Sequence, residues 1–418
     1  MPIDRQTFEK YQNLPDVPLR ALIQSSVVAQ PAPADGSDPV PWAKIQMTPA
    51  NQCPLLSDES LCRVQSECGE SFLSHTCAVY PRVINSVDGA PDKSLSLSCP
   101  EAARLVLLQP DLLDTGVHEI EGGSSAESGP QSDLPGNGGG APFRPLAHFW
   151  PIRAAVLSLL RQRTYPLWQR LFLLGIFCRR MDAIARGELN RPVADFLDDF
   201  ERAVATKTLL PAMETLPVDR SAQLDVVLRL AGMLLHRSNI RPRFVACIEA
   251  FTSGIGNGPQ ATLDSLTSHY AEAHDRYYAP FFARHPYILE NYLINTIFRT
   301  HFPFGRSGAK PSNTPDMTRE FAMLTAQFTL MKGLLIGVAG HHRMNFEAAH
   351  VVHTMQAASK HFEHHPEFLN QAHALLVESH MDGARGLAIL LRNTDPVGVA
   401  RTPAPQVQVP EQQAGSAA

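Results

Sequence analysis

Apolar residues recur at three- and four-residue spacing through the second half of the chain, from His148 to about Asn393. The pattern is clearest in FWPIRAAVLSLLRQR, PLWQRLFLLGIFCRRMDAIARG, AQLDVVLRLAGMLLHRS and REFAMLTAQFTLMKGLLIGV. This spacing places the apolar side chains on one face of an α-helix. We therefore predict a helical domain over residues 148–393.

The most apolar stretch, FTLMKGLLIGVAG at Phe328–Gly340, is too short to cross a membrane and carries Lys332. It predicts a helix buried in the core. The opening segment MPIDRQTFEKYQNLPDVPLR has scattered charges and no apolar signal-peptide core. We expect a cytoplasmic protein without a membrane partner. The net charge is −5, and the sequence has no visible basic arm of the kind that binds nucleic acid.

Composition divides the remaining chain into three regions. Residues 1–118 hold five of the 7 cysteines and short extended stretches such as AKIQM and SLSLSC, which predicts a small cysteine-rich domain of loops and strands. Residues 119–147 are rich in Gly, Ser and Pro and predict a flexible linker. Residues 394–418 predict a disordered tail. The predicted fold is mainly α, with a small N-terminal domain and a larger helical domain.

Four cysteines lie within 25 residues, at Cys53, Cys62, Cys68 and Cys77, and Cys99 follows. Clustered cysteines in a reducing compartment are more often metal ligands than disulfides. Structural zinc sites use tight C-x2-4-C pairs, which do not occur here, whereas iron–sulfur clusters accept wider spacing. The alternative is that these thiols are small buried core residues. We favour a metal site.

The segments CPLLSDESLCRVQSECGESFLSHTCAVYPRV and KSLSLSCPEAARLVLL resemble the cysteine-rich segment of the flagellin lysine N-methylase family. The family pattern is C-P-x-L, L-C-R-x-Q, T-C-x-x-Y-P-R and S-L-S-C-P-E-A, and the resemblance continues through ENYLINTIFRTHFPFG and ASKHFEHHPEFL. It implies metal ligands at Cys53, Cys62, Cys77 and Cys99, with Cys68 as a bystander. The implied cofactor is an iron–sulfur cluster of the 4Fe-4S type, with zinc as the alternative.

The family pattern also has an earlier cysteine group, C-x3-C-x4-C-C-x-G-W, before a segment like IDRQTFEKYQNLP. This sequence contains no such group. If those cysteines supply ligands, a site built from the present cysteines is incomplete. Two other functions therefore stay open: a non-catalytic iron–sulfur or zinc-binding interaction protein, and a degenerate paralogue that only binds a partner.

The resemblance implies transfer of a methyl group from S-adenosylmethionine to lysine side chains of flagellin. The sulfonium methyl is already activated, so the protein must chiefly align donor and acceptor and leave the amine neutral. An unperturbed lysine is almost wholly protonated at neutral pH. The site therefore needs a methyl-donor pocket and a group that takes a proton. The glycine-rich SGIGNGP follows a helical segment, and we interpret it as a helix-ending turn rather than a nucleotide loop.

The segment PYILENYLINTIFRTHF carries a polar stripe at helical spacing. Asn291, Asn295 and Arg299 recur at i, i+4 and i+8, and Glu290 lies beside them. Amides and a guanidinium can bind the polar ends of a cofactor, and a carboxylate can orient an amine. We predict the first three residues as cofactor-binding and Glu290 as catalytic. An interhelical hydrogen-bond network is an equal alternative.

Histidines are concentrated near the end of the predicted helical domain, in segments such as AAHVVHTMQAASKHFEHHPEF. His350, His353, His361 and His364 share one helical face, opposite an apolar one, and solvent exposure is the simplest interpretation for most of them. His364 is the exception, because the element Glu363–His364 matches the family. We predict His364 as a general base near neutral pH.

Overall fold

The structure is a computed structural model. It describes residues 1–14, 17–31, 41–49, 52–59, 61–87, 90–113, 133–134, 148–236, 240–305, 316–363 and 366–393. Within these residues the chain is mostly helical, and its longest strands have only 6 residues. The predicted mainly α fold is confirmed.

The N-terminal region forms a small sheet with its own apolar core. Its strands are β1 (Pro2–Ile3), β2 (Val27–Ala29) and β3 (Ala43–Ile45), in the antiparallel order β1-β3-β2. Its helices are α1 (Arg5–Gln12), α2 (Val17–Ser26), α3 (Arg63–Cys68) and α4 (His75–Val79), with a 3-10 turn at Glu70–Phe72. Helix α1 begins where the Asp4 carboxylate accepts a hydrogen bond from the Thr7 backbone N–H at 2.8 Å. Buried Ile3, Tyr11 and Leu19 belong to this smaller core.

A β-hairpin and one helix from the predicted cysteine-rich domain pack with the helical part. They are β4 (Arg82–Val87), β5 (Ala90–Leu95) and α5 (Pro100–Leu107). Val87, Leu97 and Val106 share one continuous core with the helices that follow. The two cores therefore divide the chain before this hairpin, and residues 82–107 join the larger core.

The short strand β6 (Asp133–Leu134) lies within the predicted linker and pairs in parallel with β4. The other residues of the predicted linker 119–147, and the whole predicted tail 394–418, lie outside the described residues. Their predicted flexibility stays a prediction.

Helices make up the second part of the chain. They are α6 (Phe149–Arg161), α7 (Leu167–Ala185), α8 (Val193–Ala205), α9 (Leu210–Glu214), α10 (Arg220–Leu235), α11 (Pro242–Gly254), α12 (Leu263–Ala273), α13 (Ala279–Arg284), α14 (Tyr287–Thr300), α15 (Met317–His342), α16 (Ala348–Phe362), α17 (Pro366–Glu378) and α18 (Ala384–Leu391). A π-helical turn, His274–Tyr278, joins α12 to α13, and a 3-10 turn, Arg343–Asn345, follows α15. The glycine-rich SGIGNGP segment lies at the end of α11 and contains Gly256 at φ 71°, as expected for a helix-ending turn.

Helix α15 is the centre of the larger core. It is long and apolar enough to cross a membrane, but its apolar window is entirely buried inside the protein. Helices α7, α10, α11 and α17 pack against it. The prediction of a buried helix for the stretch Phe328–Gly340 is confirmed.

Lys332 in α15 binds the C-terminal end of α18. The Lys332 amine donates to the backbone oxygens of Leu390 at 2.8 Å and Leu391 at 3.1 Å, and to Asn393 Oδ1 at 2.7 Å. These carbonyls at the end of α18 have no helical partners, so the amine caps the helix. Burial lowers the pKa of Lys332 to about 7.

Helices α11 and α15 cross closely because glycines lie at the crossing. A Cβ atom at Gly337 would lie 2.7 Å from the Phe251 backbone oxygen, and one at Gly340 would lie 2.5 Å from the Gly254 backbone oxygen. A Cβ atom so close to the facing backbone would force the two helices apart. Any larger residue at the crossing must therefore displace α11 from α15.

We expect Gly337→Ala to lower the free energy of unfolding by about 1–3 kcal/mol, because the added methyl group overpacks the core. Gly232→Ala in α10 is the matched control, since a Cβ there meets no atom within 4 Å. The control should be neutral or stabilising by up to about 1 kcal/mol through helix propensity. Urea unfolding measures both. Equal effects would show that the crossing has room for a side chain.

Candidate functional site

The polar stripe of α14 faces the N-terminal hairpin and α5. Asn291 Nδ2 donates to the Val106 backbone oxygen at 2.9 Å and to that of Gln109 at 2.6 Å. Asn295 exchanges two hydrogen bonds with Leu95: its Nδ2 donates to the backbone oxygen at 2.8 Å, and its Oδ1 accepts from the backbone N–H at 3.1 Å. The structure therefore places both amides in a network between elements. Their predicted cofactor-binding role stays a prediction.

Glu290 joins α14 to the start of the helical domain. Its buried carboxylate accepts hydrogen bonds from Arg163 Nη2 at 2.8 Å and from Arg170 Nη1 at 2.7 Å. Arg170 also donates to the Leu160 backbone oxygen. A buried carboxylate needs such partners, because an unpaired charge in the core is strongly destabilising. The geometry gives Glu290 a bridging position, and its predicted catalytic role stays a prediction.

Arg299, at the other end of the stripe, faces Glu363 at the end of α16. Arg299 Nε lies 3.6 Å from Glu363 Oε1, and these side chains are only 7% and 3% exposed. Glu363 Oε2 also accepts a hydrogen bond from Ser96 Oγ at 2.7 Å. The glutamate of the predicted Glu363–His364 element is thus part of a buried polar cluster. His364 itself lies outside the described residues.

A series of hydroxyl groups leads from Glu363 to the surface. Ser96 Oγ lies 2.7 Å from Ser98 Oγ, which lies 3.1 Å from the Tyr80 hydroxyl. Ser96 and Ser98 are buried, with exposures of 5% and 1%, whereas Tyr80 is 42% exposed. Gln356 Nε2 holds this segment in place by donating to the Ser98 backbone oxygen at 2.7 Å. We call Tyr80, Ser98, Ser96 and Glu363 the Tyr80–Glu363 chain.

Charged and titratable groups surround the exposed end of this chain. Burial raises the pKa of Tyr80, the hydrogen bond with Ser98 partly offsets this rise, and Cys99 and Glu363 add to it. Desolvation lowers the pKa of Lys360, and the positive charges of Arg241 and Arg243 lower it further. The charges that act on Tyr80 are thus negative, whereas positive charges act on Lys360.

The predicted metal ligands do not form one group. Cys53, Cys62 and Cys77 lie near one another and near Tyr11, since negative charge on each would raise the pKa of that tyrosine. Cys99 comes before the first turn of α5, which packs in the larger core, and it is close enough to Tyr80 and Lys360 to affect their pKa values.

Within the part of the chain that the structure describes, no group of three or more His, Cys, Asp or Glu residues has a geometry that could hold a metal ion. Burial also raises the pKa of Cys53 and of Cys77, which favours the thiol over the thiolate that binds metals. The residues in this arrangement therefore do not fit a four-cysteine iron–sulfur or zinc site. Cys68, the predicted bystander, packs in the smaller core.

The predicted histidine face is not uniformly exposed. His353 is exposed, as expected. His361 is buried, however, and its ring centroid lies 4.5 Å from that of Phe244. This corrects the interpretation for His361: α11 covers that side of α16, so the ring packs in the core. His350 stacks on His342, with ring centroids 3.7 Å apart.

A cavity of about 510 Å³ opens at the other end of α16. Its lining includes Ser253, Tyr277, His341, His342, Arg343 and Asn345. Helix α16 has 15 residues and is therefore about 22 Å long. Methyl transfer requires the reacting atoms to lie about 3 Å apart. A methyl donor in this cavity is therefore too distant to react with an amine beside Tyr80.

Sequence reasoning missed Tyr80, Ser96 and Ser98. All three lie in the segments that carry the resemblance, TCAVYPRV and SLSLSCPEA. The sequence analysis interpreted these segments by their cysteines and not by their hydroxyl groups. The Y-P-R and S-L-S-C elements were the available signal. Nothing in the sequence indicated that they meet Glu363, which lies 267 residues after Ser96.

Comparison with known proteins covers most of the chain. The family model for the FliB lysine N-methylase C-terminal domain matches residues 153–390. The chain belongs to this family. A lysine-N-methylase of Salmonella typhimurium (strain LT2) is 23% identical over 376 residues, which cover 86% of this chain and 85% of that protein. The flagellar biosynthetic protein FliU of Salmonella muenchen is 33% identical over 115 residues, or 27% of this chain and 65% of that protein. No solved structure matches the chain. The family resemblance of the sequence is confirmed.

We expect Asn295→Leu to lower the free energy of unfolding by about 1–3 kcal/mol, because it leaves the backbone N–H and C=O of Leu95 without partners. Asn370→Leu is the control, since the Asn370 side chain accepts one exposed hydrogen bond from Arg319. The control should change stability by no more than about 0.5 kcal/mol. Urea unfolding measures both. An unchanged Asn295 variant would show that the stripe does not hold the hairpin.

Proposed function

We propose that this protein is a lysine N-methyltransferase that moves a methyl group from S-adenosylmethionine to lysine side chains of flagellin. The family match over residues 153–390 is the observation that carries the proposal. The relatives named for lysine methylation and flagellar biosynthesis support the substrate class. The proposed place of reaction is the cytoplasm.

The reaction joins a lysine nitrogen to the methyl carbon of a sulfonium. The donor supplies the activated methyl group, so the protein must position the amine in line with it and remove one proton. The Tyr80–Glu363 chain supports this chemistry, because it connects the partly exposed Tyr80 to a buried carboxylate at Glu363. The sequence-based roles of His364 and Glu290 in catalysis, and of Asn291, Asn295 and Arg299 in cofactor binding, remain part of the proposal.

An iron–sulfur cluster stays outside the proposed reaction, because the described residues include no group of three or more His, Cys, Asp or Glu with metal-binding geometry. The resemblance still predicts iron and sulfide in protein purified without oxygen. Cys53→Ala should then lose the iron, and Cys68→Ala should keep it. Metal analysis measures both variants. Stoichiometric zinc alone, or no metal at all, would contradict the iron–sulfur prediction.

The methyltransferase proposal predicts that the purified protein transfers labelled methyl groups from S-adenosylmethionine to flagellin. Mass spectrometry should locate the label on lysine residues. Flagellin with acetylated lysines is the control, because acetylation removes the nucleophilic amine. Failure to label flagellin or any other lysine-containing protein would favour a non-catalytic binding protein. Labelling of the acetylated control would show that the acceptor is not lysine.

A further inference from the structure

We propose that the Tyr80 hydroxyl accepts the proton of the target lysine ammonium and that Ser98 and Ser96 relay it to Glu363. The inference rests on the proposed methylation and adds residues to its machinery. Tyr80 is the catalytic residue in this scheme, because it contacts the substrate amine. Arg299 is a positioning residue that acts through Glu363.

The direction of the hydrogen bonds follows from the number of protons available. Each hydroxyl has one proton to donate. The Ser96 proton goes to the Glu363 carboxylate, which can only accept when ionised. Ser98 must therefore donate in its contact with Ser96, and Tyr80 must donate in its contact with Ser98. The lone pairs of the Tyr80 oxygen can then accept a hydrogen bond from the N–H of a substrate amine.

Burial determines which end of the chain meets the substrate. The Glu363 side chain is 3% exposed, and Arg299 lies beside it, so a lysine on another protein cannot reach this carboxylate directly. Tyr80 is 42% exposed. A buried base can serve a bulky protein substrate only through such a connection. The three oxygen–oxygen distances of 2.7, 2.7 and 3.1 Å are all within hydrogen-bond range.

The proposed step balances in protons and electrons. The lysine ammonium gives one proton to the Tyr80 oxygen while the Tyr80 proton moves to Ser98, that of Ser98 to Ser96, and that of Ser96 to Glu363. The amine lone pair then forms the N–C bond, and the C–S bond breaks with its electron pair left on sulfur. The products are a methylated ammonium and the thioether of S-adenosylhomocysteine. Glu363 returns its proton to water by the same route.

The charges near the two ends of the Tyr80–Glu363 chain differ. The groups that act on Tyr80 are Cys99 and Glu363, and both raise its pKa. At the buried end Arg299 faces Glu363, and the Tyr292 ring is close enough to be affected by both. The positive charges of Arg241 and Arg243 act on Lys360. Proton removal at Tyr80 therefore depends on the relay and not on repulsion of the ammonium.

The test uses Tyr80→Phe and Glu363→Gln, which remove the acceptor or the base with little change in shape. We expect kcat to fall by about 10²-fold or more with an unchanged KM for S-adenosylmethionine. We expect the wild-type rate to level off as pH rises. The variant rates should instead keep rising toward the pKa of free lysine, about 10.4, because only solvent then removes the proton.

Two controls separate this role from loss of stability. Tyr165→Phe removes a buried phenolic hydrogen bond to the Val204 backbone oxygen at 2.7 Å. Asp92→Asn removes a buried carboxylate that accepts from Arg153 Nη1 at 3.1 Å. Both should keep the wild-type pH profile, with rates corrected for the folded fraction.

A peptide with S-aminoethylcysteine in place of lysine gives a second measurement, because its amine is more acidic. It should restore more of the rate lost in Tyr80→Phe than it adds to wild type, whereas a merely structural defect lowers both substrates equally. The relay is wrong if wild type transfers methyl groups and Tyr80→Phe and Glu363→Gln keep its rate and pH profile. If wild type transfers none to any lysine, the proposed function fails and the relay fails with it.

Discussion

The paired hydrogen bonds between Asn295 and the backbone of Leu95 are the constraint on which the proposed site depends. The residue after Leu95 is Ser96, so the amide fixes the segment that carries the hydroxyls of the Tyr80–Glu363 chain. Arg299, one helical turn further along α14, then faces Glu363. Helix α14 thus positions both the segment at Ser96 and Arg299, which faces the Glu363 carboxylate.

Local sequence patterns predicted the helices. They did not predict where the chain passes from the smaller apolar core to the larger one. The apolar spacing predicted the helical part, and it correctly identified Phe328–Gly340 as a buried segment, because helix burial repeats every few residues. The hairpin β4–β5 carries no such repeat. Its place in the larger core comes from contacts with α14, far along the chain, and local sequence carries no record of such pairings.

The candidate site shows the same limit at the level of single residues. The family element Glu363–His364 and the helical spacing of Arg299 each indicated one residue of the Arg299–Glu363 contact. No pattern indicated Tyr80, because a hydroxyl acquires a role only from what lies next to it. The cysteines differ again: the pattern predicts one site from four of them, whereas Cys53 and Cys62 pack against the smaller core and Cys99 precedes α5, which packs in the larger one. Their metal-binding role stays a prediction.

The Tyr80–Glu363 chain takes its residues from both parts of the protein. The match to the FliB lysine N-methylase C-terminal domain covers residues 153–390 and contains Glu363. Tyr80, Ser96 and Ser98 all precede that range. The C-terminal domain alone therefore holds a buried carboxylate without the hydroxyls that connect it to the surface. On the proposed mechanism, proton removal requires both parts of the chain, because the acceptor at the surface and the base in the core come from different parts.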